Sequence, residues 1–360
     1  MTPEHLPEEA YAVALASAPS VGPASLRGLL AAGSPSEVWA RRRGAEGGSD
    51  RDVARLWARH TERGIQVLMP GRASWPARLA DDPQAPAILF CLGDPAALRR
   101  APTVAIVGTR APTRYGIGVA AQLGADLSSA GVSVVSGLAL GIDGASHEGA
   151  CGAGAPPVGV VAGGLDDPYP RRHARLWERV AECGAIVSES PAGVPTEKWR
   201  FPVRNRLLAA MSDVVVVVES RHHGGSRHTV DAAAARGIPV GAVPGSIRSA
   251  TSEGPNALLA DGAFPVCSAG DVLVALALEG ATVLLPGPAS APTGSPPRRP
   301  RPGPAPGPDE RVHAVLSPDP ASLDELARAT GLDLSTLCGA LERLSHAGLA
   351  VGAGGWWERA

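Results

Sequence analysis

The chain is almost without lysine. Of its 33 basic residues only Lys198 is a lysine; the rest are arginine. Aromatic residues make up only 4% of the 360 positions, so each ring in a polar setting draws attention as a contact surface. No apolar run reaches the roughly 18–20 residues of a membrane-spanning helix. The longest strand-like run, Val214 to Val218, reads as a buried central strand. The chain opens on Glu and Pro rather than a basic and then apolar stretch, so no signal peptide is expected and the expected location is the cytoplasm. Cys91, Cys151, Cys183, Cys267 and Cys338 form no CxxC pair and have no histidine at ligand spacing. That argues against structural zinc or disulfides and fits a reducing compartment. A GxxxxGK[ST] loop and a carboxylate cluster able to hold two metals are both missing, so neither ATP hydrolysis nor nuclease activity is expected, and no cofactor.

What is present is rich in Ala, Gly, Pro and Arg, as in GC-rich coding where lysine codons are scarce. A lysine kept against that bias points to a need at its position, three residues before Phe201. The 33 basic and 35 acidic residues nearly cancel, so a nucleic-acid surface must be a local patch.

The length predicts two or three domains. Residues 1–63 read as short helices over Glu8 to Ser17, Ala24 to Ala32, Ser36 to Arg41 and Asp50 to Arg63. Ser20 to Ala24 with Leu26, Leu29 and Leu30 looks like half of a helix-hairpin-helix; a plain helical packing module fits equally. Residues 64–280 alternate strand and helix. The pattern predicts an α/β fold, an extended Rossmann-like, doubly wound parallel sheet. Its core strands are Thr103 to Val107, Val132 to Ser136, Val158 to Ala162, Ala185 to Ser188, Asp213 to Glu219 and Pro239 to Val243. Ala263 to Val266 forms an edge, and Ile65 to Met69 and Ala87 to Cys91 are extra strands. Residues 281–308 read as a Pro/Gly-rich linker carrying Arg298, Arg299 and Arg301. Residues 309–360 read as a C-terminal winged-helix domain. Its recognition helix carries only Arg343 and His346 beside Glu342, which is poor for DNA-groove binding and favours a protein-contact or vestigial module.

The chemistry concentrates in turns that follow strands and open helices. Gly108-Thr109-Arg110, with Arg114, joins turn amides to a guanidinium suited to phosphate. No GxGxxG follows that strand and no acidic residue ends the next, so a dinucleotide is not expected. Ser136-Gly137 opens a turn presenting amides and a hydroxyl; Asp143 and His147, one helical turn apart, read first as a structural pair and second as an acid–base pair. Tyr169 is placed to stack a base or to pack the sheet. Lys198, Arg200, Phe201, Arg204, Asn205 and Arg206 mix cations with a ring, the way single strands are held. At least one of Arg204 and Arg206 is expected to be structural, paired with Glu189 or Asp213, with Lys198 and Phe201 exposed. Gly225-Ser226, with Thr229, opens another helix. The histidines at 222, 223 and 228 have no carboxylate or thiol partner, which disfavours a metal. Several anion sites in a row imply a ligand with several phosphates in a row.

In this order the motifs resemble the DNA-processing protein A family (DprA, or Smf). The matching segments are Trp75 to Leu79, Val104 to Arg110, Tyr115-Gly116, Ser136 to Asp143 with His147, Gly163 to Pro170, Ser188-Glu189, Phe201 to Met211, Gly225-Ser226 with Thr229, Val243 to Gly245, and Gly254 to Ala263. The resemblance spans about 70 to 268 and extends to the helical front and winged-helix tail. It implies single-stranded DNA binding, a homodimer, and loading of RecA onto incoming strands in natural transformation and recombination. It places Arg110 and Lys198 at phosphate contacts and Phe201 at a stacking position. Trp75 stands where the family usually has Tyr, and Gly224 replaces a common Ser; neither removes a cation or ring. Two other classes compete. A phosphoribohydrolase-like enzyme would need a Pro-Gly-Gly-x-Gly-Thr-x-x-Glu run, but the nearest stretch lacks the third Gly and has Ala232 for the Glu. A transcription regulator acting through the tail would need more positive charge there.

Overall fold

The computed structural model describes residues 6–46, 49–99, 102–222, 224–283, 307–316, 321–353 and 355–359. Nearly all of the linker, with Arg298, Arg299 and Arg301, lies outside them, as does His223. The chain forms two compact units, Met1–Pro286 and Gly287–Ala360.

The first unit is built on nine strands: β1 Gln66–Leu68, β2 Leu89–Gly93, β3 Thr103–Val107, β4 Ser133–Ser136, β5 Val158–Val160, β6 Ala185–Ser188, β7 Val214–Val217, β8 Val240–Ala242 and β9 Phe264–Pro265. They lie in the order β1-β2-β6-β5-β4-β3-β7-β8-β9. β3 through β9 pair in parallel, and β1 and β2 extend the sheet antiparallel beyond β6. The winding reverses between β3 and β7. A crevice opens at such a point because the connections leave it on opposite faces.

Alternation along the strands fills both faces. Val104, Ile106, Val214 and Val216 face helices Arg114–Ser129, Ile142–Ala150 and Ala269–Leu278. Ala105, Val107, Val215 and Val217 face helices Arg200–Ala210 and Arg227–Ala234. A sheet covered twice reads as unbroken apolar runs, and the valine run at 214–218 is one.

The front helices, Glu8–Ala16, Pro23–Ala31, Pro35–Glu46 and Asp50–Thr61, hold a small core of their own around Ala10, Ala14 and Val53 and share a larger one with the sheet. Val13, Leu15, Leu26 and Val38 share one core with Phe90, Leu138, Trp177 and Ile186. One core thus runs across the expected boundary at 63. The helices bury their apolar side against the same face of β2 and β6 that helix Ala174–Cys183 covers, through Leu176, Trp177 and Val180. Two polar links reinforce the contact. Arg59 donates to Asp166 at 2.6 Å, and the Ala192 amide donates to His60 Nε2 at 2.9 Å.

The second unit has helices Pro308–Val315, Leu323–Thr330 and Leu334–His346 and a sheet of β10 Ala321–Ser322, β11 Ala350–Ala353 and β12 Trp356–Arg359. Ser322 and Glu325 cap the second helix reciprocally. In the third helix Arg343 binds Asp309 at 2.6 Å, so its charge is matched internally.

Candidate nucleic-acid interface

The reversal between β3 and β7 holds a cleft of about 550 Å³. One wall is the turn after β3, Gly108-Thr109-Arg110. A side chain at Gly108 would lie 2.5 Å from Ile142 Cγ1 and 2.7 Å from the Glu219 carbonyl, so only glycine lets the turn seat there. The opposite wall is Ser220 and Arg221 and the turn Gly224-Gly225-Ser226 that opens helix Arg227–Ala234. The third wall is one face of helix Arg200–Ala210, where Phe201, Arg204, Asn205 and Leu208 succeed one another at helical spacing.

At the lip, the Arg110 guanidinium lies 4.2 Å above the Phe201 ring. Tyr169 approaches the same ring, with centroids 6.0 Å apart. Arg110 and Lys198 are exposed and Phe201 is half-buried. A cation within 6 Å of a ring face is attracted by its quadrupole, so Arg110 is held where it can also meet an anion. Phe201 further lines a smaller adjoining pocket with Gly137, Tyr169, Trp177 and Thr196.

Lower down the cleft the groups are buried. Arg204 donates to the Val160 carbonyl. Burial pulls its guanidinium down to about 10, against the pull of the nearby Asp143. Burial raises the Asp143 carboxyl, with Arg204 and Arg110 opposing, and Asp143 accepts from the Gly137 amide at 3.2 Å. Asn205 donates to the Gly225 carbonyl at 3.1 Å and pins helix Arg200–Ala210 to the turn that opens helix Arg227–Ala234. Ser226 donates to Ser220 at 2.7 Å. Leu138, fully buried in the turn after β4, has φ +53, a costly conformation for a non-glycine residue and one that gathers at functional sites.

The cleft thus gathers Gly108, Thr109, Arg110, Lys198, Phe201, Arg204, Asn205, Gly225 and Ser226 from the sequence reading, with Gly137 in the adjoining pocket. Three expected residues do not line it. Ser136 is fully buried and its hydroxyl donates to the Ile106 carbonyl at 2.6 Å, because the strand pleat turns it into the sheet. Arg206 points to the other side of its helix, pairing with Glu189 at 2.5 Å and the Gln84 carbonyl at 2.8 Å. Arg114 begins helix Arg114–Ser129, outside the cleft wall. Two others need correction in role. Arg204 is buried, not a surface cation, and the Thr109 amide is already spent on the Glu219 carbonyl at 2.7 Å. Asp213 pairs with Arg78 rather than with either helix arginine. His147 is a fully buried core residue: its Nε2 bonds the Val158 carbonyl at 3.2 Å, and its Nδ1 has no hydrogen-bond partner among the described residues.

Sequence reading passed over Glu219. Its buried carboxylate accepts from the Thr113 amide at 2.8 Å, the Thr113 hydroxyl at 2.6 Å and the Thr251 hydroxyl at 3.1 Å. It locks the β3 turn to the end of β7. An acid closing an apolar strand beside the winding reversal was the available signal. Among the described residues no helix is long and apolar enough to cross a membrane, and no group of three or more His, Cys, Asp or Glu side chains is placed to hold a metal ion.

Fold and site define an extended Rossmann protein with a basic, aromatic-lipped cleft at its topological switch point. The chain belongs to the family described as DNA recombination-mediator protein A, which matches residues 66–277; the DprA winged helix domain matches 296–355. It is 37% identical over 310 residues to a putative DNA processing protein DprA of Mycobacterium tuberculosis, covering 82% of this chain and 77% of that one. It is also 37% identical over 220 residues to DNA processing protein DprA of Bacillus subtilis, covering 61% and 74%. The structure of DprA from Streptococcus pneumoniae aligns with TM-score 0.63 and 26% identity over 75% of this chain and 98% of that one. That of Helicobacter pylori DNA processing protein A, described for its single-stranded DNA binding mode, aligns with TM-score 0.53 and 28% identity over 61% and 97%.

Proposed function

We propose that this protein binds single-stranded DNA in the switch-point cleft, as part of DNA processing in natural transformation and recombination. The observation that carries the reading is the Arg110 guanidinium over Phe201 at a cleft mouth that also bears Lys198. Cations that meet phosphates beside a ring that stacks bases hold single strands, whereas a paired duplex hides its base faces. The H. pylori relative's described binding mode supports the same ligand. The protein acts by binding rather than catalysis, in the cytoplasm, as a homodimer that loads RecA; these finer points rest on family resemblance.

Fluorescence anisotropy with labelled single- and double-stranded oligonucleotides across a salt series tests the binding. Single strands are expected to win clearly. Affinity should fall with salt at a log–log slope of about −0.7 per neutralised phosphate. Equal affinity for blunt duplex, or binding indifferent to salt, refutes it. Stimulated RecA filament growth on strands covered by single-strand-binding protein tests the loading step.

A further inference from the structure

The floor of the cleft carries polar atoms that the protein leaves unused. Thr229 is 1% exposed and Arg204 4%, yet Thr229 Oγ1 and Arg204 Nε have no hydrogen-bond partner among the described residues. Both residues line the cleft, and so does Asp143 at 6% exposure. A buried donor or acceptor without a partner is costly, and native structures keep few of them. Arg204 and Asp143 stand side by side: a Cβ built on Gly137 would lie 2.2 Å from Arg204 Nη1 and 2.5 Å from Asp143 Oδ2.

The mouth and the floor suit different parts of a nucleotide. Arg110, Lys198 and Arg221 at the mouth are matched to phosphate. On the floor a phosphate would meet the Asp143 carboxylate and the apolar Val107 and Leu208. A flat group with a polar edge fits better. Phe201 sits one helical turn above Arg204, so a base stacked on the ring directs its edge toward that floor.

We propose that the floor reads the edge of one base and favours guanine, giving the protein a base preference on top of general single-strand binding. The proposal rests on the reading of the cleft as a single-strand site. Guanine presents the O6 acceptor beside the N1–H and N2–H donors. Arg204 supplies a donor for O6, and the Asp143 carboxylate is an acceptor for the adjacent N–H groups. Thymine offers a carboxylate one donor only, and so does inosine, which lacks the 2-amino group. The Thr229 hydroxyl completes the edge contact.

Competition anisotropy with equal-length alternating guanine–thymine, inosine–thymine and all-thymine oligonucleotides tests this. The guanine strand is expected to compete roughly fivefold or more better than all-thymine, with inosine between, since one well-placed edge contact is worth at least that factor. Thr229→Val keeps the shape and removes the hydroxyl, and should narrow the guanine-to-thymine ratio. Asp143→Asn, checked for folding by thermal melting, should narrow it further. If the three strands compete within about twofold of one another in the wild-type protein, base reading is overturned while strand binding stands. If none binds, the single-strand reading of the cleft falls, and this proposal with it.

Discussion

Arg110 and Phe201 are in contact before any ligand arrives, with 4.2 Å between guanidinium and ring centroid. Their contributions to binding should therefore be coupled. Phe201→Ala removes a stacking surface worth about 1–3 kcal/mol, or roughly five- to 150-fold in affinity. It also frees the Arg110 side chain, which must then be ordered anew when it meets a phosphate, at about 0.5–1.5 kcal/mol. Arg110→Ala removes the phosphate contact outright and should lower the salt slope by about 0.7. The double variant loses the stack and the contact but is spared the ordering cost. It should bind better than the product of the two single losses by about two- to twelvefold. The assay is anisotropy on one labelled single strand, with each variant's fold checked by melting. Additivity to within about 0.3 kcal/mol would show that the ring does not pre-position the arginine. Two single variants that bind like wild type would remove the cleft from DNA binding altogether.

Lys198→Ala should weaken binding to every sequence and lower the salt slope by about 0.7, while Lys198→Arg keeps most affinity; a slope unchanged in Lys198→Ala refutes the phosphate contact. Gly137→Ala places a methyl against the buried Arg204 and Asp143 and should destabilise by about 1–3 kcal/mol, read as a lowered denaturant midpoint. Burial pulls the His147 imidazole down to about 4. The unfolded chain takes up that proton near pH 6.5 and the folded chain does not, so stability falls as pH drops from about 6.5 toward 4. The loss is about 2 kcal/mol by pH 5. His60, also lowered chiefly by burial, acts in the same direction. Melting curves at pH 7 and pH 5 should show a smaller drop for His147→Asn than for wild type; equal drops would refute the assignment.

The sheet was legible because a strand buried on both faces writes its burial as an apolar run, as at Val214 to Val218. The turns were legible because glycine and arginine after a strand have few other uses. Side-chain direction was not. Arg204 and Arg206 are two residues apart, and a helix turns about 200° in that step, so one enters the cleft wall and the other meets Glu189. Sequence alone placed both among the contacts, expected at least one to be structural, and could not say which, because nothing in it fixes the rotation of helix Arg200–Ala210. Ser136 failed for a related reason: a strand's last side chain points into the sheet or out of it according to register. Glu219 was missed because its partners, Thr113 and Thr251, lie 106 and 32 residues away and meet only in the fold.

The links from the front helices to the sheet bear on how this unit can come apart. His60 receives the Ala192 amide on one ring nitrogen and bonds the Leu56 carbonyl with the other at 2.8 Å. Asp166 is shared between Arg59 and the Gly193 amide. Ala192 and Gly193 lie a few residues before Thr196 and Lys198, and Asp166 three before Tyr169, so the same segments run on into the walls around Phe201. A chain trimmed to begin after residue 63 would bare Phe90 and Ile186 and leave those segments untethered. The helices are thus a foundation for the cleft rather than an appendage. Residues 6 to 283 should melt in one cooperative transition, and amide exchange in the front helices should slow together with that in β2 and β6.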